Sequence, residues 1–272
     1  MIAPVPAPAR LALDHLTVVD ATPSRLVELA ADAGYSAVCL FLHSMEVLPD
    51  MPQFDLRTGS AEFRAAKTRM ADSGIGLDVA YPFTLSRRTE VSALRPALEC
   101  AAGLGAWAVN VLHYDRDAGR RIETFSAFCE LAREYGLNVV LEFFPQSQVK
   151  SLREALELVG HVDMPGKVGV NVDLLHLIRS GGTLEELASA PADRILYGQF
   201  CDAPAVCDPQ QWEAEASAGR LLPGEGELDL AGFARALPPA CRASIEAPRG
   251  NALSVPQAER ARQAITALAR SL

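Results

Sequence analysis

The run NVVLEFF (138–144), followed by VGVNVDLL (168–175), ILYGQFCD (195–202) and RASIEAP (242–248), decides the fold. Each is a short apolar stretch, interrupted once near its end by a polar side chain and closed by a turn, as a strand buried on both faces reads. The same pattern recurs upstream in LALDHLTVV (11–19), AVCLFLH (37–43), GLDVAYP (76–82) and WAVNVLH (107–113). Amphipathic helical stretches fall between them, near residues 23–34, 61–73, 91–104, 121–135, 151–160, 183–190, 229–237 and 255–270. Gly34, Gly74, Gly105 and Gly136 stand where four of these helices end, a position that favours the left-handed conformation. Thr22 before Pro23, Ser60, Ser92 and Ser151 supply helix starts.

Strands that alternate with helices predict an α/β protein with a parallel sheet. Eight such units in 272 residues match a single-domain (β/α)₈ TIM barrel, which typically needs about 250. No GxGxxG follows the first strand, so the open dinucleotide-binding sheet fits less well. The barrel spans 11–272, after a short Pro/Ala tail over 1–10.

Composition narrows the function. Apolar residues make up 49% of the chain and charged ones 22%, the balance of a globular protein with a sizeable core. A net charge of -9 without a basic run argues against nucleic acid. The start, MIAPVPAPAR, lacks the basic and then apolar order of a signal peptide, and no segment reaches the ~18 apolar residues of a membrane span. Six cysteines without CxxC pairing, mostly in apolar runs, read as buried thiols of a cytoplasmic protein. A small-molecule substrate is the remaining kind of partner.

Catalytic groups of such barrels gather at the C-terminal strand ends. Glu142 in VVLEFF, Asp173 in VNVDLL, Gln199 in LYGQF and Glu246 in ASIEA occupy that end of four consecutive strands. An unpartnered polar group there would cost roughly 2–7 kcal/mol, so a shared cation is the economical arrangement. Three carboxylates and one amide carbonyl form an all-oxygen set, which suits Mn²⁺ or Mg²⁺, with Co²⁺ as a substitute, better than Zn²⁺.

Further candidates surround this set. His176 follows Asp173 by three residues and can reach a substrate oxygen. Arg220 precedes LLPGEGELDL, a tight, exposed loop shaped by Pro223, Gly224 and Gly226. Asp202 follows Gln199 and can orient a neighbour, while His43 and His113 each end an apolar run and can line the mouth. The plain alternatives are a loop-capping His176, a solvated Arg220 and core histidines at 43 and 113. Tyr81-Pro82-Phe83 and Phe143-Phe144-Pro145 can wall the pocket.

LEFFP, NVDLLHL, GQFCDA, RLLPGEGELDL and SIEAP resemble the strand-end motifs of the xylose-isomerase-like barrel superfamily, in its sugar phosphate isomerase/epimerase branch. Relatives there include D-tagatose 3-epimerase, inosose dehydratase and 3-dehydroshikimate dehydratase. The resemblance implies that Glu142, Asp173, Gln199 and Glu246 hold one divalent ion, with Glu142 and Glu246 moving protons and His176 assisting. It implies an isomerase or epimerase of a small keto-sugar, keto-polyol or sugar acid, acting through a metal-stabilised enediolate. Self-association as dimers or tetramers is implied as well. Epimerases of the branch usually carry His where Gln199 stands, and Gln199-Phe-Cys-Asp202-Ala203 is more similar to the dehydroshikimate dehydratases. FFPQS after Glu142 is unlike those enzymes, so a dehydratase of 3-dehydroshikimate or inosose type stands as the alternative. A non-catalytic barrel is the third reading, which metal content would decide.

Overall fold

The protein is described from a computed structural model covering residues 10–272. The expected N-terminal tail, 1–10, lies outside the described residues apart from Arg10. Eight strands, β1 (Leu11–Asp14), β2 (Ala37–Phe41), β3 (Gly76–Leu85), β4 (Ala106–His113), β5 (Asn138–Glu142), β6 (Val168–Asp173), β7 (Ile195–Phe200) and β8 (Arg242–Ile245), pair in parallel in chain order. β8 returns to β1 through Leu13 and Ile245, and the sheet closes as a TIM barrel.

The helices are α1 (Pro23–Ala33), α2 (Ala61–Ser73), α3 (Arg95–Leu104), α4 (Ala118–Glu134), α5 (Leu152–Gly160), α6 (Leu174–Arg179), α7 (Leu184–Ser189), α8 (Trp212–Ala218), α9 (Leu230–Ala236) and α10 (Gln257–Ser271). Ser60 and Ser151 cap α2 and α5 by accepting from the Phe63 and Glu154 amides. Gly34 and Gly105 end α1 and α3 at φ of 88° and 82°, where a Cβ is disfavoured.

The expected elements differ most at β1, at α3 and at two added helices. β1 stops at Asp14, whose carboxylate accepts from the Leu16 amide and turns HLTV into a 3₁₀ segment. α3 begins at Arg95 and not near 91, because Pro96 fits a first helical turn that has no use for its N–H. α6 and α8 were not legible as helices: each is a short insertion between a strand and its outer helix.

Apolar side chains fill two layers. Leu29, Phe83, Phe125, Phe128 and Phe233 are buried between strands and helices, each stabilising the fold by roughly 1.5–3 kcal/mol. Cys39, Val79, Ala108, Val140 and Tyr197 fill the barrel interior. At the N-terminal end the Asp78 carboxylate receives Arg10 and Arg242, both at 2.7 Å, which leaves the opposite end for chemistry. All six cysteines are free thiols, four of them buried. No helix among the described residues is long and apolar enough to cross a membrane.

Candidate active site and metal centre

Glu142 and Asp173 are the last residues of β5 and β6, Gln199 lies one residue before the end of β7, and Glu246 follows β8. The sheet register brings them to one level: Glu142 stands beside Asn171, Asp173 beside Gln199, and Gln199 beside Ser244. All four side chains are buried. The sequence spacing therefore converges as the barrel predicts.

A chain of amides links the two glutamates. Asn110 Nδ2 donates to Glu142 Oε2 at 2.5 Å, and Asn171 Nδ2 donates to Asn110 Oδ1 at 3.1 Å and to Gln199 Oε1 at 2.6 Å. Gln199 Nε2 then donates to Glu246. Gln199 thus has its carbonyl oxygen committed to Asn171, while Asn171 Oδ1 finds no partner among the described residues.

Arg220, expected beside the site just before the exposed PGEG loop, is not the solvated side chain of the plain alternative. Its side chain is 2% exposed and donates to Asp173, with Nη2 3.1 Å from Glu246 Oε1 and Nε donating to the Ala216 carbonyl at 3.0 Å. Two buried carboxylates draw the guanidinium inward, because neither charge could be buried alone. His176 occupies the first turn of α6, where Asp173 caps the helix by accepting from the His176 amide at 3.0 Å. Its Nε2 lies 3.6 Å from Glu142 Oε1, and its ring lies against Phe144 at 4.7 Å between centroids.

The electrostatics are those of an undercompensated acidic cluster. Burial, assisted by the charge of Asp173, pushes the Glu142 carboxyl up to about 8, and burial pushes Glu246 well above the carboxylate range. Burial would raise Asp173 too, but Arg220 and His176 outweigh it and hold the carboxyl below its ordinary value. Burial lowers His176 to about 4, so its imidazole is neutral near pH 7. Ligand atoms of Glu142, Asp173 and His176 lie within 4.8 Å of one another. With Glu246 added, three buried carboxylates face one arginine. A divalent cation fits this donor set, because it supplies the missing positive charge.

Glu142, His176, Arg220 and Glu246 form the floor of a cavity of about 240 Å³ with Phe41, Tyr81, Phe83, Tyr114 and Phe144 among its walls, and Asp173 lies behind Arg220. Outside the floor, Thr84, Asn110, Glu213 and Ser217 add polar side chains to the lining.

The remaining candidates are placed differently. Asp202 accepts from the amides of Ala203, Gly224 and Leu228, at 2.8, 2.8 and 3.0 Å, and so pins the PGEG loop beside Arg220. His113 is buried but does not line the cavity, because strand alternation turns it away while Leu112 and Tyr114 face inward. His43 is exposed, with Nδ1 3.0 Å from the Ser44 carbonyl, and also stands outside the cavity lining. Sequence reading missed Asp14, Asn110 and Asn171, and it named Tyr81 only as a pocket wall and not as the partner of Asp14. Asp14 is buried, receives the Tyr81 hydroxyl, and is raised by burial to about 6. The signal was available: LALD and the two VNV runs each place a polar residue inside an apolar strand.

The family model described as "Xylose isomerase-like TIM barrel" matches residues 27–271. A 3-dehydroshikimate dehydratase of Pseudomonas putida is 31% identical over 106 residues, which are 38% of this chain and only 16% of that relative's length. Among solved structures, the IOLI protein with a binding zinc atom superposes with a TM-score of 0.78 at 19% identity, covering 96% of this chain and 97% of that one. D-Allulose 3-epimerase from Methylomonas sp., in complex with D-allulose, gives a TM-score of 0.71 at 16% identity, covering 98% and 99%.

Proposed function

The chain belongs to the xylose isomerase-like TIM barrel family, and from that premise we propose a divalent-metal-dependent lyase that removes water from a small cyclic polyhydroxylated ketone of the 3-dehydroshikimate type. The observation that carries this reading is the unequal state of the two strand-end glutamates. Glu246 is held on both oxygens, by Gln199 and by Arg220. Glu142 accepts from Asn110 and has His176 at 3.6 Å. One base with an imidazole beside it suits loss of a proton and of a neighbouring hydroxyl. The named dehydratase relative and the aromatic cavity walls support the same choice.

In this reading Glu142 and Asp173 would hold one divalent ion, with Glu246, His176 and, once its carbonyl turns from Asn171, Gln199 as the further donors. Mn²⁺ or Mg²⁺ suits the oxygens, and the His176 nitrogen extends the choice to Co²⁺ and Zn²⁺. A bound ion supplies positive charge that stabilises an oxyanion developing on the substrate carbonyl. Glu142, ionised when that charge is present, takes the proton from the carbon beside the carbonyl. His176, as a neutral imidazole, hydrogen-bonds the hydroxyl that leaves the next carbon, and the hydroxyl departs as water with the proton Glu142 removed. One C–H and one C–O bond break, and a conjugated C=C bond forms. The apolar walls keep bulk water from the developing charge.

The second reading is an isomerase or epimerase of a keto-sugar, keto-polyol or sugar acid, which shares the first proton removal. It is favoured by the arrival of Glu142 and Glu246 from different strands, but it requires Glu246 to leave Arg220 and deliver a proton.

Manganese-loaded protein mixed with 3-dehydroshikimate and followed by ultraviolet absorbance tests the lyase. A rise that Glu142→Gln abolishes is expected, and a flat trace removes the reading. Deuterium uptake beside the carbonyl of a keto-sugar in D₂O, without loss of water, would instead establish the isomerase.

A further inference from the structure

A second cavity lies at the same end of the barrel, in the loops after β3 and β4, and its lining includes Arg87, Arg88, Arg116 and Arg120. It shares Tyr114 with the catalytic cavity, and that side chain is 39% exposed between the two spaces. We propose that this arginine-lined cavity is an anion subsite that holds the carboxylate or phosphate of a substrate occupying the adjoining catalytic cavity. The proposal rests on the reading that the catalytic cavity receives a substrate, and it adds to that reading where the substrate's anionic group is held.

The four arginines differ in their commitments. Arg120 forms a two-pronged pair with Asp115, and Arg121 donates to the Asp115 carbonyl at 2.8 Å, so the loop after β4 is braced from within. Asp117 is also committed, since its carboxylate caps α4 by accepting from the Arg120 amide at 2.9 Å. Arg87, Arg88 and Arg116 have no ion-pair partner among the described residues, and all three are exposed. Four guanidinium groups against two carboxylates leave this cavity positive, in a chain whose net charge is -9.

Chemistry identifies the ligand class. A planar guanidinium presents paired donors that match the oxygens of a carboxylate or a phosphate. At the catalytic floor the one lining cation, Arg220, is already paired with Asp173 and Glu246, whereas the unpaired guanidinium groups lie across Tyr114, where an anionic substituent finds free donors. Positive charge at a mouth also raises the encounter rate of an anionic substrate, and does so less as salt is added.

Inorganic phosphate and acetate serve as probes, titrated into the metal-loaded protein while arginine Nε–H resonances are followed by NMR. The comparison protein is R87Q/R88Q/R116Q, whose changes are confined to exposed side chains. Phosphate or acetate should move rim arginine resonances in the native protein, and the triple variant should bind about tenfold more weakly or worse. Manganese affinity, read separately by calorimetry, should be equal in the two proteins. No resonance shift in the native protein, or equal anion affinity in both, overturns the subsite. Anion binding that persists in a protein unable to bind any divalent ion supports the subsite while removing the metal reading, so the two failures are distinct. Phosphate without acetate, or the reverse, identifies which anion the substrate carries.

Discussion

Arg220 holds its Nη2 3.1 Å from Glu246 Oε1 while its Nη1 donates to Asp173, so one guanidinium spans the ends of β6 and β8. Both carboxylates depend on it, and removing one partner from a buried ion pair costs about 3–5 kcal/mol. Arg220→Gln should therefore lower the urea midpoint of the metal-free protein by a corresponding amount. Manganese should restore more stability to the variant than to the native protein, because the ion replaces the missing positive charge. Equal midpoints for the two metal-free proteins would show that Arg220 does not carry this compensation.

Metal binding should release protons. Burial and the charge of Asp173 raise Glu142 to about 8 from an ordinary value of 4.5, so at pH 7 the metal-free carboxyl is largely protonated. A raised carboxyl stabilises the fold fully below pH 4.5 and loses that contribution as pH rises through 8. A divalent ion needs the ionised form, and affinity should climb from pH 6 to 8 as Glu142 gives up its proton. Calorimetry at pH 7 in buffers of different ionisation enthalpy counts the released protons. A count of zero would contradict the raised carboxyl.

The ligand set can be separated by substitution. Glu142→Gln and Asp173→Asn should each weaken manganese binding by about 10–100-fold or more, since each removes a charged donor. Gln199→Ala and His176→Ala should differ from one another. If Gln199 turns its carbonyl from Asn171 to the ion, its loss weakens binding more than that of His176; if His176 ligates, the order reverses. Unchanged affinity in both Glu142→Gln and Asp173→Asn would eliminate the proposed centre.

The contrast between Glu142 and Asn110 shows what the sequence made legible. Glu142, Asp173, Gln199 and Glu246 were readable because a charged or amide side chain inside an apolar strand is conspicuous, and eight such strands imply one common rim. Asn110 and Asn171 carried the same mark, but neutral amides suggest no cation, so their role as a hydrogen-bonded bridge between the glutamates emerged only from the register. The position of Arg220 was legible, but its burial was not, since local composition around PGEG signals a turn and contains nothing about Asp173, 47 residues away. His113 was misjudged for a simple geometric reason: two-residue periodicity decides which side chain faces the cavity, and the sequence fixes no absolute phase at a strand end.

The PGEG loop gives a direct test of how Arg220 is positioned. A Cβ at Gly226 would lie 2.5 Å from the Ala203 carbonyl and 2.7 Å from its amide, both backbone atoms that cannot withdraw. Gly226→Ala should displace the loop that Asp202 pins, at a cost of about 1–3 kcal/mol. Binding of manganese should weaken in step with the loop's movement, whereas a purely structural effect would lower the melting temperature and leave affinity unchanged.

His15 supplies a pH signature separate from the metal centre. It is fully buried, with Nε2 2.9 Å from the Ala21 carbonyl and Nδ1 accepting from the Phe41 amide at 3.3 Å, a pattern that only the neutral ring satisfies. Burial lowers it from 6.5 to about 4. Above pH 6.5 the ring is neutral in both folded and unfolded chains, and its environment costs nothing. Between pH 6.5 and 4 the unfolded chain binds a proton that the folded one refuses, so stability falls with pH by up to about 1.4 kcal/mol per unit. The total approaches about 3 kcal/mol at pH 4. His15→Gln keeps a donor for Ala21 without a titrating ring, and should flatten the fall in urea midpoint measured from pH 7 to pH 5. His113 and His176 are also lowered by burial, and Asp14 and Glu142, raised by burial, act in the opposite sense, so the variant should keep a slope of its own. Identical slopes in native protein and variant would show that His15 contributes nothing to the acid sensitivity.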